Sequence, residues 1–181
     1  MRNLRIASRY AKALLSLAEE NQIMDEAYAS MSVVLDVFKK NRELKVILSS
    51  PIIRESKKVN VIEKIFDRKI NQLLLKYLLI ITRKKRSYLI EPIAVEYIRL
   101  YKVKLNIVTV LVTTAHEIDD EIKGKVIDVA RKVTDKKIDF ENKIDPSIIG
   151  GFILKIGDYY YDASVRRSLS NMKRKLYHSV E

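Results

Sequence analysis

The sequence contains no cysteine and no tryptophan, and among its 181 residues are only two histidines, four glycines and three prolines. Without cysteine the chain can form neither a disulfide framework nor a zinc site of the cysteine type. His116 and His178 lie far apart in the sequence, which argues against a histidine-based metal centre. The remaining composition, 48% hydrophobic and 32% charged, is typical of a globular, helix-rich protein of one or two domains.

Long apolar runs are also missing. Typical of the longest stretches are Leu78–Ile81 and Val108–Val112, the second with a threonine inside it. A membrane-spanning helix needs about 20 apolar residues, so no segment is predicted to cross a bilayer. The sequence enters helical periodicity at once, with no apolar signal core and no transit region. These features predict a protein that works in the cytosol or on the membrane surface that faces it.

Acidic residues are scarce only in the first part of the chain. Residues 1–105 carry 22 basic and 11 acidic side chains, a net charge of +11, whereas residues 106–181 carry 13 and 12, a net charge of +1. Positive charge of this size favours nucleic acid, an anionic membrane or an acidic protein as a partner. Because lysine and isoleucine are abundant throughout, solvated helix faces explain the charge equally well.

Residues 1–105 follow a helical pattern. Apolar residues from Leu4 to Ala18 recur every three or four positions, which places them on one face of a helix. Five further segments repeat the pattern, and Pro51 separates the third segment from the fourth. The last is predicted from about Ser87 to Lys104. This part of the chain is therefore predicted to form six consecutive helices.

Near Asn106 the pattern changes to that of strands. The β-branched segment Ile107–Thr113 predicts a strand, and Thr114 and Glu117 have the spacing of a capping box, which predicts a helix start at that point. Short strands are also predicted at residues 138–140 and 150–156.

The end of the chain shows a turn and one more helix. Gly157–Asp158 is typical of a hairpin turn, and a last helix is predicted to begin near Asp162 or Ser164. Its apolar residues are Val165, Leu169, Met172 and Leu176. The predicted fold class is mainly α, with a helical domain at residues 1–105 followed by a small α+β domain at residues 106–181.

No catalytic motif is present in the sequence. Gly151 and Gly157 are separated by an apolar strand, and no Lys-Ser or Lys-Thr pair follows them, so they do not form a phosphate-binding loop. The serine-hydrolase elbow G-x-S-x-G and the metalloprotease motif H-E-x-x-H are both absent. We therefore predict a protein that is not an enzyme and has no catalytic residues, no cofactor and no metal site.

Three features leave alternatives open. Tyr159–Tyr161 could stack on nucleic-acid bases, although a strand with alternating buried and exposed tyrosines is the favoured interpretation. The basic runs Arg83–Arg86 and Lys173–Lys175 could bind phosphates, although solvated helix ends are favoured. The small-residue face of the first helix permits close approach of another helix, either from the same domain or from a partner; it consists of Ala7, Ala11 and Ala18, with Ala13 beside it.

Two segments near the ends of the chain carry a family resemblance. The first is RYAKAL, at Arg9–Leu14. The second is IDPSIIGGFILKIGD, at Ile144–Asp158, which Asp162, Ser164 and Arg166 continue in register. They resemble the opening motif and the C-terminal signature of the delta subunit of F-type ATP synthases, the family of the mitochondrial oligomycin-sensitivity-conferring protein. The resemblance covers nearly the whole chain.

This resemblance implies a non-catalytic subunit of the peripheral stalk, the stator that holds the catalytic head static while the rotor turns. It implies an N-terminal six-helix bundle whose first and fifth helices form a groove for the amphipathic N-terminal helix of an alpha subunit. The groove candidates carried over to this sequence are Leu4, Ala7, Tyr10, Ala13, Leu14, Tyr77, Ile80 and Ile81.

The resemblance also implies that the C-terminal domain meets the b-type peripheral-stalk subunits. The signature residues with an implied structural or stalk-contact role are Gly150, Gly151, Lys155, Gly157, Asp158, Asp162, Ser164 and Arg166. The implied location is the cytoplasmic face of the bacterial inner membrane, as a peripheral membrane protein without a nucleic-acid partner.

Two other functions compete with this one. A helical RNA-binding protein would use the basic domain, and the logarithm of its affinity would fall steeply with the logarithm of the salt concentration. An adaptor that docks on an anionic membrane would use the same charge. Neither function predicts the C-terminal signature.

Overall fold

The computed structural model describes residues 2–117 and 120–178. The fold is mainly helical, with one four-stranded sheet toward the C-terminal end, which confirms the predicted fold class at that level. The chain divides into two compact units, residues 1–102 and 103–181. The division falls in the last turn of the sixth helix, shortly before the predicted boundary at residue 105.

The first unit is built from helices alone. They are α1 (Arg2–Glu20), α2 (Met24–Lys40), α3 (Arg42–Ser49), α4 (Glu55–Phe66), α5 (Gln72–Arg83) and α6 (Ile90–Lys104), with a 3₁₀ turn at Ser87–Leu89 before α6. The second unit contains β1 (Ile107–Thr114), α7 (Asp120–Val133), β2 (Lys137–Ile144), a 3₁₀ turn at Pro146–Ile148, β3 (Phe152–Ile156), β4 (Tyr159–Asp162) and α8 (Val165–His178).

The apolar stripes predicted for the first unit face its interior. Ala7, Ala11 and Leu14 of α1 are buried, as are Leu78 and Ile81 of α5. These positions recur at the three- and four-residue spacing of one helix face, so the same periodicity that forms each helix also selects the face that is removed from water.

A tight reversal ends α5. Lys85 takes a positive φ of 59°, its N–H bonds the carbonyl oxygen of Thr82, and the N–H of Arg86 bonds the carbonyl oxygen of Ile81. This is the Schellman pattern, which satisfies the carbonyls that a helix end leaves free. It turns the chain back at Arg86 and so fixes where the Arg86 side chain begins.

The sheet of the second unit has the strand order β2-β1-β3-β4. The β1 and β2 strands are parallel and α7 lies between them in the chain, whereas β1–β3 and β3–β4 are antiparallel. A hydrophobic core forms between one face of β1 and β3 and the helix α7, and contains Val110, Val112, Val126, Ala130, Leu154 and Ile156. The predicted hairpin turn at residues 157–158 is confirmed, because β3 and β4 pair directly across it.

The predicted capping box at Thr114 and Glu117 is wrong. Thr114 is the last residue of β1, where it pairs with both neighbouring strands, and its hydroxyl donates a 2.7 Å hydrogen bond to the carbonyl oxygen of His116. The helix that follows begins at Asp120. Pairing of Thr114 with strands on both sides is more favourable than the helix cap that the local sequence predicts.

Two strand boundaries also differ from the prediction. The β2 strand runs over the whole of Lys137–Ile144, because each of its residues is in register with β1. The β3 strand begins only at Phe152, because Gly151 takes a positive φ of 73° that no extended strand allows.

Candidate partner-binding surfaces

The first candidate surface lies where α5 packs beside α1. The Tyr77 hydroxyl donates a 2.9 Å hydrogen bond to the carbonyl oxygen of Tyr10. In turn, the Tyr10 hydroxyl accepts a hydrogen bond from Nη1 of Arg86, whose guanidinium lies 5.6 Å from the centre of the Tyr10 ring. Burial raises the pKa of Tyr77 well above its ordinary value, so its hydroxyl keeps its proton and remains a donor. The two helices and the turn after α5 are thus joined by one polar chain.

A small open cavity of about 250 Å³ lies beside this chain of contacts. It is lined by Ile6, Arg9, Tyr10, Ala13 and Arg86. Its walls combine apolar surface with two guanidinium groups, a lining that suits an apolar side chain with an acidic neighbour. Ile6, Arg9 and Arg86 were not among the predicted groove residues. For Arg9 and Arg86, the feature of the sequence that could have indicated this role is their position next to segments with apolar helical periodicity.

The structure separates the predicted groove residues into two groups. Ala7, Leu14 and Ile81 are at most 1% exposed, so these three predictions are wrong: the side chains belong to the interior of the unit and present no surface to a partner. One helix face cannot be directed toward the core and toward a groove at the same time. The residues that retain surface are Leu4, Tyr10, Ala13, Tyr77 and Ile80.

The exposed residues do not all lie on one side of α1. Ala13 lies nine positions after Leu4, which at about 100° per residue places the two on opposite sides of the helix. Tyr10 and Ala13 are one turn apart, and so are Tyr77 and Ile80 on α5. The Tyr77–Tyr10 hydrogen bond joins these two pairs. The candidate groove therefore narrows to these four residues, and Leu4 stays outside it.

The second candidate surface is built around the signature of the C-terminal unit. A side chain at Gly151 would place its Cβ 2.3 Å from the carbonyl oxygen of Ala163, and one at Gly150 would come within 3.3 Å of Val165. The N–H of Val165 bonds the carbonyl oxygen of Gly150 at 3.0 Å. The glycine pair thus lets the segment before β3 pass directly against the start of α8.

Two aspartates of the signature hold tight turns. The Asp162 carboxylate accepts the N–H of Ser164 at 3.0 Å, and the Ser164 hydroxyl accepts the N–H of Arg167, which caps the first turn of α8. Asp145 accepts the N–H of Ser147 in the same way. Hydrogen bonding by Ser164 and Ser147 lowers the pKa of Asp162 and of Asp145, respectively, below the usual value.

The last helix is also pinned by its own arginines. Nη1 of Arg166 lies 3.4 Å from the hydroxyl oxygen of Ser147, and Nη1 of Arg167 lies 3.8 Å from the Asp162 carboxylate. An open cleft of about 560 Å³ lies between the 146–148 turn, β4 and α8, and Tyr160 and Arg174 are among its lining residues. Lys155 and Asp158, by contrast, are exposed and lie outside this cleft.

The three consecutive tyrosines of β4 are all exposed. The favoured interpretation of alternating buried and exposed tyrosines is therefore wrong. The β4 strand is the edge of the sheet, and the core beneath α7 is made by β1 and β3. No residue of β4 belongs to that core, so most of the surface of these tyrosines stays exposed.

Other sites were sought in the described parts of the chain. Within residues 2–117 and 120–178, no three acidic or histidine side chains are grouped so that they could hold a metal ion. Over the same residues, no helix combines the length and the apolar character needed to cross a bilayer.

Comparison with known proteins identifies the family. The ATP synthase delta (OSCP) subunit family matches residues 6–176. An ATP synthase subunit delta of Cytophaga hutchinsonii is 35% identical over 182 residues, covering 99% of this chain and 98% of that protein. One of Fusobacterium nucleatum is 36% identical over 169 residues, covering 93% and 97%.

The fold is shared with a solved structure as well. A chain of the Toxoplasma gondii mitochondrial ATP synthase hexamer superposes with a TM-score of 0.70 at 18% identity, covering 94% of this chain and 97% of that one. From the family match and the full-length relatives together, the chain belongs to the ATP synthase delta (OSCP) subunit family and is a non-catalytic peripheral-stalk subunit of an F-type ATP synthase.

Proposed function

We propose that the N-terminal unit binds the N-terminal helix of an alpha subunit of the catalytic head, and that the C-terminal unit binds the b-type stalk subunits. In this proposal the six helices of the first unit form a single bundle, and its α1–α5 side carries the groove. The proposed domains are residues 1–105 for the alpha subunit and 106–181 for the stalk. The observation that carries the proposal is the partly buried pair of Tyr10 and Tyr77, which joins α1 to α5.

The geometry supports a helix as the occupant of the groove. Tyr10 and Ala13 on α1 and Tyr77 and Ile80 on α5 form two one-turn pairs, and Ile80 is 51% exposed although it is fully apolar. Small Ala13 permits close approach of a partner backbone, while the tyrosines offer large rings with polar tips. Arg9 and Arg86 at the adjoining cavity would receive acidic side chains at the edge of the partner helix.

A stator contact must outlast many rotation steps of the rotor, because it resists torque. Differences in affinity between related interfaces lie mostly in the dissociation rate. A helix whose apolar side chains are buried in a groove dissociates slowly and is little weakened by salt, in contrast to an exposed charged contact. We therefore propose that the apolar groove makes dissociation of the partner helix slow, and that the surrounding positive charge makes its association fast.

The charge of the N-terminal region allows the proposed roles of the groove and of the positive charge to be tested by binding kinetics. Residues 1–105 carry a net charge of +11, so an acidic partner should be steered toward them. The association rate should fall several-fold between about 50 and 300 mM salt, with a much smaller change in the dissociation rate. An association rate that does not change over this range would contradict an acidic partner.

We propose the cytoplasmic face of a bacterial inner membrane as the location, with attachment through the other subunits of the complex. The family match and the full-length relatives give no support to the RNA-binding alternative.

Calorimetry on the full chain tests the groove. A peptide from the N-terminus of the cognate alpha subunit should bind with one-to-one stoichiometry at physiological salt. Ile80→Asp should weaken binding more than about tenfold. Ile52→Asp, which introduces the same charge at an apolar residue that is 89% exposed elsewhere in the unit, should leave it unchanged.

A short RNA serves as the competing ligand in the same experiment. Absence of peptide binding, or an equal loss in the two isoleucine variants, would overturn the proposed groove. Tight, salt-sensitive RNA binding in place of peptide binding would make the basic face the functional surface.

A further inference from the structure

The last helix exposes apolar side chains that its own unit does not cover. Val165, Leu169 and Met172 of α8 are 40%, 52% and 61% exposed. They recur at intervals of four and three residues, and Leu176 continues the series in the sequence after four more. An apolar stripe along a helix is normally buried against another element.

The 4-3-4 spacing is that of a coiled-coil seam. In heptad notation Val165 and Met172 occupy d positions, and Leu169 and Leu176 occupy a positions. Among residues 165–174, whose side chains the structure describes, only these two positions of the heptad are apolar. The stripe is therefore narrower than the face of a helix that packs on a globular core. The pattern therefore fits one partner helix lying along α8.

Three of the four positions beside the seam are basic. The e positions are Arg166 and Lys173, and the g positions are Ser168 and Lys175. Over its whole length α8 contains five basic residues and no acidic one. Because residues at e and g set the choice of partner in coiled coils through charge, a helix with acidic e and g positions is complementary to α8.

The unit holds α8 at the N-terminal end of the helix. The Ser164 cap and the contacts of Arg166 and Arg167 all lie in the first turn. The open cleft is lined by Ser170, Asn171 and Arg174, which at about 100° per residue lie away from the seam. The seam thus remains available while α8 stays anchored.

We propose that α8 forms a short coiled coil with an acidic helix of its partner, with Val165, Leu169 and Met172 as the knobs. This inference rests on the proposed function, in which the b-type subunits bind the C-terminal unit, and adds the element, the packing mode and the charge of the contact. A second copy of α8 is a poor partner, because its equally basic e and g positions would be repelled. A bilayer is also disfavoured, because the apolar stripe is only a seam wide and contains no aromatic residue.

Calorimetry of the full chain with the soluble domain of the cognate b-type subunit tests the seam. Leu169→Asp should weaken binding more than about tenfold, because it places a charge among the knobs. Asn171→Asp adds the same charge at a c position and should change binding less than about threefold. Both side chains are exposed, and circular dichroism checks that both variants keep their helix content.

Charge reversal tests the chemistry of the partner. Lys173→Glu at an e position should weaken binding several-fold more than Arg174→Glu at the neighbouring f position, although the two changes alter the net charge equally. Vesicles of three parts phosphatidylcholine to one part phosphatidylglycerol form the membrane arm of the experiment, and sedimentation of the chain alone measures self-association.

The outcomes separate this inference from the proposed function. If the wild-type chain does not bind the b-type domain, the stalk contact of the C-terminal unit fails. If it binds, but Leu169→Asp and Asn171→Asp behave alike, the stalk contact stands and the seam is wrong. Equal effects of Lys173→Glu and Arg174→Glu together with vesicle binding would assign α8 to the membrane, and self-association that Leu169→Asp abolishes would assign the seam to a second copy.

Discussion

The hydroxyl of Tyr77 donates a 2.9 Å hydrogen bond to the carbonyl oxygen of Tyr10, and this bond ties the middle of α5 to the middle of α1. Tyr77→Phe removes the donor and keeps the ring, so the free energy of unfolding should fall by about 1 kcal/mol. Urea unfolding of the wild-type protein and the variant measures this change in the free energy of unfolding. Tyr88→Phe, at an exposed tyrosine of the same unit, is the control and should change stability by less than about 0.5 kcal/mol. Equal values for the two variants would show that the bond does not hold the helices together.

A buried lysine closes the end of α3. The Lys58 ammonium donates to the carbonyl oxygens of Leu48 and Ser50, at 3.1 and 2.7 Å, and the residue is only 6% exposed. Ser87 also donates to Leu48, so Ser50 is the carbonyl that loses most when Lys58 is replaced. Lys58→Met should lower the free energy of unfolding by about 1–3 kcal/mol, because it leaves a helix end without its donor.

The adjacent lysine provides the control for this prediction. Lys57→Met makes the same substitution at an exposed position of α4 and should be close to neutral. Thermal unfolding of both variants at one pH gives the comparison. If Lys57→Met destabilises the protein as much as Lys58→Met does, the loss of stability comes from removing a positive charge and not from the end of α3.

Two glycines of the C-terminal unit should respond to alanine in opposite ways. At Gly151 the φ of 73° and the approach of the Ala163 carbonyl oxygen leave no room for a Cβ, so Gly151→Ala should destabilise the unit by more than about 2 kcal/mol. At Gly124, in α7, no atom lies within 4 Å of the added Cβ, so Gly124→Ala should stabilise it by about 0.5–1 kcal/mol. Thermal unfolding followed through spectroscopic signals of the β-sheet measures the stability of both variants. A stabilised Gly151→Ala variant would contradict the close approach of the Ala163 carbonyl oxygen to Gly151.

The start of α8 should loosen in acid. Hydrogen bonding by Ser164 lowers the pKa of Asp162 below its usual value, so the folded chain holds the ionised form more firmly than the unfolded chain does. Its contribution to stability is full above the unfolded pKa of about 4 and is lost as the pH falls through the lower folded value. Amide chemical shifts of Ser164 and Arg167, followed by NMR below about pH 5, should report this change.

An amide at the same position tests the assignment. In Asp162→Asn the side-chain oxygen can still accept the Ser164 N–H, but it does not titrate. The acid-induced change at Ser164 should therefore disappear in this variant while the turn persists at neutral pH. An unchanged titration in Asp162→Asn would place its origin in another carboxylate.

Periodicity predicted the helices of the first unit because each buried face repeats every three or four residues. The family resemblance led to Ala7, Leu14 and Ile81 as groove candidates, although a strong apolar stripe marks the face that a unit buries for itself. Tyr10 and Ala13, the two candidate groove residues that remain on α1, lie beside that stripe, and Tyr10 meets α5 through a hydrogen bond from Tyr77, more than sixty positions later in the chain. No local pattern contains such a contact.

In the C-terminal unit, local sequence motifs failed where pairing between distant strands decides the structure. Thr114 has good chemistry for a helix cap, but the two-sided pairing of β1 is worth more than one cap, and pairing partners 30 to 40 residues away are invisible to a local motif. For Tyr159–Tyr161 the sequence predicts a strand and cannot show that this strand lies at an edge. The conformational role of Gly151, in contrast, was predictable in kind, because few other residues tolerate its positive φ.

The position of β1 in the sheet also sets an order for folding on the ribosome. The strand is the first of the four to be synthesised, yet it lies between β2 and β3 and so has no neighbour until residues 137–156 have followed it. The helices of the first unit are joined by short turns and can be complete by then, since local contacts form faster than distant pairings. A nascent chain therefore carries a finished helical unit and an unpaired, apolar β1 at the same time, and this interval exposes the protein to aggregation.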